Sequence, residues 1–291
     1  MNGILCLDKP QQMTSFACCG ALRRLFGEKR VGHAGTLDPM ATGVLPVFFG
    51  RATRLIPHLP DHDKTYVARM RFGFVSDTLD IWGDVAATEA PIPSEQALRE
   101  VLPRFCGNIL QVPPMVSARK HQGKRLYQLA REGVQVEREA KPTTVYQLTL
   151  LRFDAVSGEA DFLCRCSQGT YIRTICDDIG QLLGCGAVMT ALRRTRAAGV
   201  QGEQCVALDA LEAISAAERE RVLLPADALL QELPAVTVSP AQAVRFGNGG
   251  ELDLARLSVA VQGKARVYAP DGRFIGLGQA DADQLRVLLV L

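Results

Sequence analysis

The chain has 291 residues, 47% hydrophobic and 22% charged, which is enough apolar content for a full core and excludes an intrinsically disordered chain; the length fits one large domain, alone or with a small second one. A formal net charge of +2 argues against a histone-like or tail-driven polyanion binder, though a balanced total still allows a local basic surface. Nine scattered cysteines, no C-x-x-C pair beside spaced histidines, no leader-like N-terminus and no run of about 18 apolar residues point to a reduced, unexported cytoplasmic protein without structural zinc.

In chain order, GILCL (3–7) reads as a short strand ended by Asp8-Lys9-Pro10, and Thr14 or Ser15 caps a helix whose Phe16, Cys19, Leu22 and Phe26 share one face. Arg23, Arg24, Lys29 and Arg30 fall at its end, where cations suit the helix dipole or meet phosphate; a solvated helix end explains them equally well. TGVLPVFFG (42–50) is an apolar run of strand length, and KTYVARMRFG (64–73) alternates as a strand should. Residues 94–105 carry Leu98, Val101, Leu102 and Phe105 at helical spacing behind Ser94, while VYQLTLLRF (145–153) and ADFLCRC (160–166) alternate again. Tyr171, Ile172, Ile175, Ile179, Leu182 and Leu183 then mark a helix face that stops at Gly184. Strands and helices mix without a regular βαβ rhythm, which favours an α+β fold with a largely antiparallel sheet. The texture changes near Pro225 to Pro240, and from Val259 short alternating runs separated by turn residues predict a small all-β module.

Three segments carry possible chemistry. SARKHQGKR (117–125) holds Arg119, Lys120, Lys124 and Arg125 with no acid; it suits a loop that wraps a polyanion, or a merely solvated one. In CSQGTYIRT (166–174), Gly169 ends a strand and allows an unusual backbone angle, and Arg173 supplies a permanent charge that can orient a carboxylate. In HAGTLDP (33–39), Asp38 is either a turn former or a carboxylate presented as nucleophile or base. A phosphoaspartate phosphatase would want an acid where Met40 stands, there is no P-loop or G-x-S-x-G elbow, and His33, His58, His62 and His121 have no helpful spacing.

The run GHAGTLDPMATGVLP (32–46), preceded by LDKPQQMTS (7–15) and followed by KTY (64–66), SARKHQGKRLY (117–127) and CSQGTYIRT, closely resembles the TruB family of bacterial tRNA pseudouridine-55 synthases over nearly the whole chain. The resemblance implies a pseudouridine synthase catalytic domain over 1–233, with a basic RNA-binding insertion at about 106–142, and a PUA-like RNA-binding domain over 234–291. It implies a cofactor-free, metal-free isomerisation of a T-loop uridine in which Asp38 is the essential aspartate, through either a covalent sugar ester or a glycal. Tyr66 matches the tyrosine that stacks on the target base and removes the C5 proton. A free phenol has a pKa of about 10, so that second role needs a helpful environment or a relay. Arg173 matches the arginine that pairs with the aspartate, Tyr171 an aromatic lining the uracil pocket, and His33 a histidine holding the opened T-loop. Lys64 and the loop from about 117 to 131 match RNA contacts, and Leu192 a pocket wall that is equally a core leucine.

The implied partner is tRNA, met at its T-loop and acceptor stem by a monomer with no obligatory protein partner. Gln12 departs from the glycine usual in the family, so the local backbone there should differ or be strained. Two other functions use the same features: a non-catalytic tRNA-folding binder, and a guide-RNA-dependent modifier of ribosomal RNA.

Overall fold

The computed structural model describes residues 1–117 and 119–291, the side chains of Lys120 and His121 excepted, so the expected contact by Lys120 lies outside the described residues. Alternation builds the main sheet: in Lys64–Phe72 the side chains of Tyr66, Ala68, Met70 and Phe72 are buried and those between are half-exposed, as a strand with one face on a core requires. Thr42–Phe49 is buried along nearly its whole length because it lies between Gly3–Lys9 and Ala187–Ala197 in the middle of the sheet. The spatial order is Val206–Ala207, Gly3–Lys9, Thr42–Phe49, Ala187–Ala197, Lys64–Phe72, Glu159–Cys166, Lys141–Asp154, Gly107–Gln111. Pairing is antiparallel except between Ala187–Ala197 and Thr42–Phe49 and at the Val206–Ala207 edge, so the α+β expectation holds.

Helix Ser15–Phe26 is capped by Thr14, whose hydroxyl accepts from the Ala17 amide, and it buries Cys18, Cys19 and Leu22 against Leu5, Leu45 and Phe49. Phe16 was expected on that face but is 70% exposed: the buried stripe centres on residues 18, 19 and 22, and Arg23 covers the ring at 5.4 Å instead. The helix read over 94–105 divides into Glu95–Val101 and a 3-10 turn, Leu102–Phe105, because Pro103 has no N–H to continue the α ladder. Helix Ile172–Leu182 packs Ile172, Ile175 and Ile179 on the core that also holds Tyr66, Met70 and Phe162.

The C-terminal residues form a second sheet of five strands in the order Ala235–Thr237, Lys264–Tyr268, Phe274–Asp281, Gln284–Val290, Leu252–Asp253. This module is not purely β. Helix Pro240–Gly247, started by a Ser239–Gln242 capping box, inserts Phe246 between Val236, Val267 and Leu285. Leu277 and Leu289 pack on Ile4, Phe48 and Leu55 of the first part, and buried Arg266 ties the junction by donating to Gln231 Oε1 (2.7 Å), the Tyr268 hydroxyl (2.9 Å) and the Leu233 carbonyl (3.1 Å). Among the described residues no helix is long and apolar enough to cross a membrane.

Candidate active site

The HAGTLDP loop leaves the sheet after the short strand Val31–His33 and returns in Thr42–Phe49, which pairs with it. Five consecutive carbonyls of this loop are tied to fixed donors. Those of Gly35 and Thr36 accept from Arg194 (Nη2, 3.0 Å; Nη1, 3.4 Å), and that of Leu37 accepts from the Ser15 hydroxyl (3.1 Å), which in turn accepts from the Leu37 amide (2.8 Å). The Asp38 carbonyl accepts from the Ala41 amide (3.0 Å) across a turn containing Pro39, and the Pro39 carbonyl accepts from the Gln12 amide (2.8 Å) and Lys9 Nζ (3.4 Å). A segment without regular structure thereby holds its carboxylate in one place.

Arg194 explains the glycines of the loop. It is fully buried, and its Nε also donates to the Val44 carbonyl at 2.7 Å. Gly43 has φ +101°, and a Cβ there would stand 2.2 Å from the Arg194 carbonyl oxygen, so no larger residue fits. Gly35, at φ +90°, lies between Lys64 Cε and Arg194 Nη1, which a Cβ would approach to 3.3 and 3.4 Å. Gln12 has φ 67°, so the unfavourable left-handed backbone expected where the family has glycine is present.

The Asp38 carboxylate is 36% exposed and lies 3.0 Å from Nε of Arg173, whose side chain is only 3% exposed. Arg173 stands in the first turn of helix Ile172–Leu182, and its other nitrogens donate to the carbonyls of Thr78 (2.9 Å) and Val116 (2.8 Å). A second acid, buried Asp80, approaches Nε at 3.7 Å while accepting from the Thr78 hydroxyl (2.9 Å) and the Trp82 amide (3.0 Å). Burial raises the pKa of Asp80 and the Arg173 charge opposes that rise. One guanidinium, fixed by two main-chain acceptors, is thus aimed at a half-open carboxylate.

Tyr66 is buried on Lys64–Phe72, in register with Arg194 on one side and Cys164 on the other. Burial pushes its phenol up to about 12, and a hydrogen bond and the charge from Arg194 act against that shift. Leu192, two residues before Arg194 and on the same strand face, packs in one cluster with Tyr66, Leu37 and Ile172. Tyr171 is half-buried; Gln111 holds its backbone from both sides, accepting from the amide at 3.0 Å and donating to the carbonyl at 3.2 Å. Lys64 donates to the His62 carbonyl (2.8 Å), and burial, helped by Arg194, lowers its ammonium to about 8. Lys9 falls to about 8 mainly through burial, and burial followed by Arg194 lowers the pKa of His33.

The basic insertion leaves Arg119, Lys124 and Arg125 exposed. Lys124 lies 3.5 Å from Glu132, and the Arg125 amide donates to Gln128 Oε1 (3.1 Å) to start the short helix Leu126–Arg131. Arg119 also lines a cleft of about 590 Å³ with Pro113, Leu126, Arg138 and Lys141, a cleft that none of Asp38, Tyr66 or Arg173 lines. The segment 106–142 meets the site through Val116, whose carbonyl accepts from Arg173, and through Gln111, which holds the Tyr171 backbone. Among the described residues no group of three or more His, Cys, Asp or Glu side chains could hold a metal ion.

The structure therefore groups Asp38, Arg173, Tyr66, Leu192, Lys64 and His33 around one loop and leaves Arg119, Lys124 and Arg125 on a separate exposed arm. It adds Arg194, Asp80, Ser15, Lys9 and Gln111, which the sequence reading had not assigned to the site. For Arg194 a signal existed, since the two-residue period of a strand puts it on the face of Leu192; for Asp80 only a polar turn, Ser76 to Asp80, marked the place.

Among solved structures the fold matches the crystal structure of a Cbf5-Nop10-Gar1 complex at TM-score 0.73 and 24% identity, covering 99% of this chain and 84% of that one. Family models then match in sequence: "TruB family pseudouridylate synthase (N terminal domain)" over 23–172, "tRNA pseudouridylate synthase B C-terminal domain" over 173–231 and "Pseudouridine synthase II TruB, C-terminal" over 234–289. The chain is 45% identical over 287 residues to tRNA pseudouridine synthase B of Azoarcus sp. (strain BH72), covering 98% of this chain and 93% of that protein. It is 46% identical over 280 residues to the protein of the same name from Dechloromonas aromatica (strain RCB), covering 96% and 91%. The chain belongs to the TruB family of pseudouridylate synthases.

Proposed function

We propose that the protein isomerises uridine to pseudouridine in tRNA, at position 55 of the T-loop, acting alone as a monomer in the cytoplasm. The reaction breaks the bond from C1′ to N1 of uracil and makes one from C1′ to C5; C5 loses a proton and N1 gains one, so no oxidant or group donor enters the balance. In this reading residues 1–233 form the catalytic domain with its insertion at about 106–142, and 234–291 form a PUA-like domain that reaches the acceptor stem.

Asp38 meets the ribose of a uridine swung out of its stack. Attack on C1′ and removal of a ribose proton to give a glycal both suit a carboxylate held this way. Arg173 positions that carboxylate, and Asp80 positions Arg173. Tyr66 stacks on the uracil and leads the C5 proton away, with Arg194 offsetting part of the cost of ionising a buried phenol. Tyr171 and Leu192 wall the base, His33 helps to hold the opened T-loop, and Lys64, Arg119, Lys124 and Arg125 take phosphates.

The observation that carries this reading is the 3.0 Å pair between Asp38 and Arg173, presented by a loop whose carbonyls from Gly35 to Pro39 are held. Mass-spectrometric pseudouridine mapping of a transcribed tRNA after incubation with the protein alone tests it. Pseudouridine at position 55 is expected; its absence, or its appearance only when a guide RNA is added, would overturn the proposal.

A further inference from the structure

Trp82 is the only tryptophan of the chain, and its residue is 49% exposed. Its backbone, by contrast, is fixed. The Trp82 amide donates to Asp80 Oδ1 at 3.0 Å, the Ile81 amide to the Met189 carbonyl at 2.9 Å, and the Met189 amide back to the Leu79 carbonyl at 3.1 Å. Leu79 adopts φ 64°, and a Cβ on Gly83 would come within 2.2 Å of Asp77 Oδ1 and Thr78 Oγ1, so the turn has no slack. Among the described residues the indole makes no ring stack, no cation–π contact and no hydrogen bond through Nε1. A large apolar ring, about half of it open to solvent, is thus carried on a fixed backbone without an aromatic or cationic partner among the described residues, an arrangement that covering by a partner would favour.

Its place identifies the partner. The Asp80 carboxylate that holds the Trp82 amide also reaches Nε of Arg173, and the same Nε holds Asp38. Trp82 therefore stands one side chain away from the pair at the centre of the site. Val116, whose carbonyl fixes another nitrogen of Arg173, is itself partly open, as is Ile81 beside Trp82. When a nucleotide is swung out of an RNA loop, its neighbours lose their stacking partner, and aromatic side chains are the usual replacement.

We propose that Trp82 is a stacking platform for an unpaired base next to the target uridine. This rests on the RNA-modifying reading above and adds a contact that selects the loop. A base from the substrate suits the indole better than a protein partner does, because the backbone that carries the ring is tied to the site through Asp80 and Arg173.

The test compares wild type, Trp82→Ala and Trp82→Phe on a T-arm hairpin RNA. Loss of a base–aromatic stack should raise KM and Kd roughly tenfold or more in Trp82→Ala, with single-turnover rate at saturation within about twofold and most of the affinity restored in Trp82→Phe. The lone indole serves as its own reporter: in the Asp38→Asn protein its fluorescence should be quenched on titration with the hairpin. The quench should disappear when one nucleotide flanking the target is made abasic. Unchanged KM and Kd in Trp82→Ala, or a quench indifferent to every abasic substitution, would overturn the proposal; a surface for a protein partner would give that result. If wild type makes pseudouridine while Trp82 has no effect, only this inference fails; if wild type makes none, the reading beneath it fails.

Discussion

Replacing Arg194 with methionine tests whether a buried cation, and not the loop sequence by itself, holds the Asp38 carboxylate proposed to act on the ribose. The substitution keeps an apolar stem of similar length and removes the donors to the carbonyls of Val44 (2.7 Å), Gly35 (3.0 Å) and Thr36 (3.4 Å). Thr36 is exposed, so water replaces the bond it loses, whereas Val44 is buried and Gly35 half-buried. An orphaned buried acceptor costs about 1–3 kcal/mol, so the two inner carbonyls set an expected loss of about 2–6 kcal/mol, toward the lower end because Gly35 is only half-buried, a large share of the ~5–15 kcal/mol that holds a domain. Methionine recovers part of that, because the guanidinium no longer has to be desolvated. The kinetic effect should be larger than the stability effect suggests. A shift of the carboxylate by about 1 Å can cost on the order of a hundredfold in rate, and the freed run from Gly35 to Asp38 allows such a shift. Urea unfolding and single-turnover release of tritium from C5-tritiated tRNA read the two effects separately. A stability loss under about 1 kcal/mol together with a single-turnover rate within about threefold of wild type would refute the reasoning.

Gln12→Gly should stabilise the protein by about 0.5 kcal/mol or more, since relief of the left-handed strain at φ 67° exceeds the added entropy of the unfolded chain; a lowered denaturation midpoint would contradict this. With the Tyr66 phenol held up to about 12, the phenolate fraction grows about tenfold per pH unit through neutrality, so the single-turnover rate should climb with pH from about 6 to 8. Tyr66→Phe should flatten that profile, and a flat wild-type profile would restrict Tyr66 to stacking. The same shift acts on stability. The unfolded tyrosine ionises near 10 and the folded one near 12, so its contribution is full below pH 10 and fades between 10 and 12, which alkaline unfolding of wild type and Tyr66→Phe measures as a difference.

Much of the frame was legible in the sequence because it rests on periodicity. Tyr66, Ala68, Met70 and Phe72 alternate and are buried, and Ile172, Ile175 and Ile179 recur at helical spacing and are buried too. Phe16 was misread because helical spacing gives a stripe but not its exact centre, which the sheet beneath decides. The helix Pro240–Gly247 carried its own signal, a Ser239–Gln242 capping box with proline at the first position, ahead of the alternating runs that made the module read as all β. At the site, Asp38 and Arg173 were recognised through a family resemblance; their spacing along the chain says nothing of a 3.0 Å contact, which arises only when the loop and the start of helix Ile172–Leu182 converge at the sheet. Arg194 escaped because an arginine reads as surface until three carbonyls are known to surround it.

The most direct measurement of the central claim is C5-tritium release by Asp38→Asn. Asparagine keeps the shape and removes the charge, so the variant should melt with the wild type, bind tRNA with similar affinity and release no tritium above background. Release at the wild-type rate would show that the carboxylate held by Arg173 is not the group that opens the glycosidic bond.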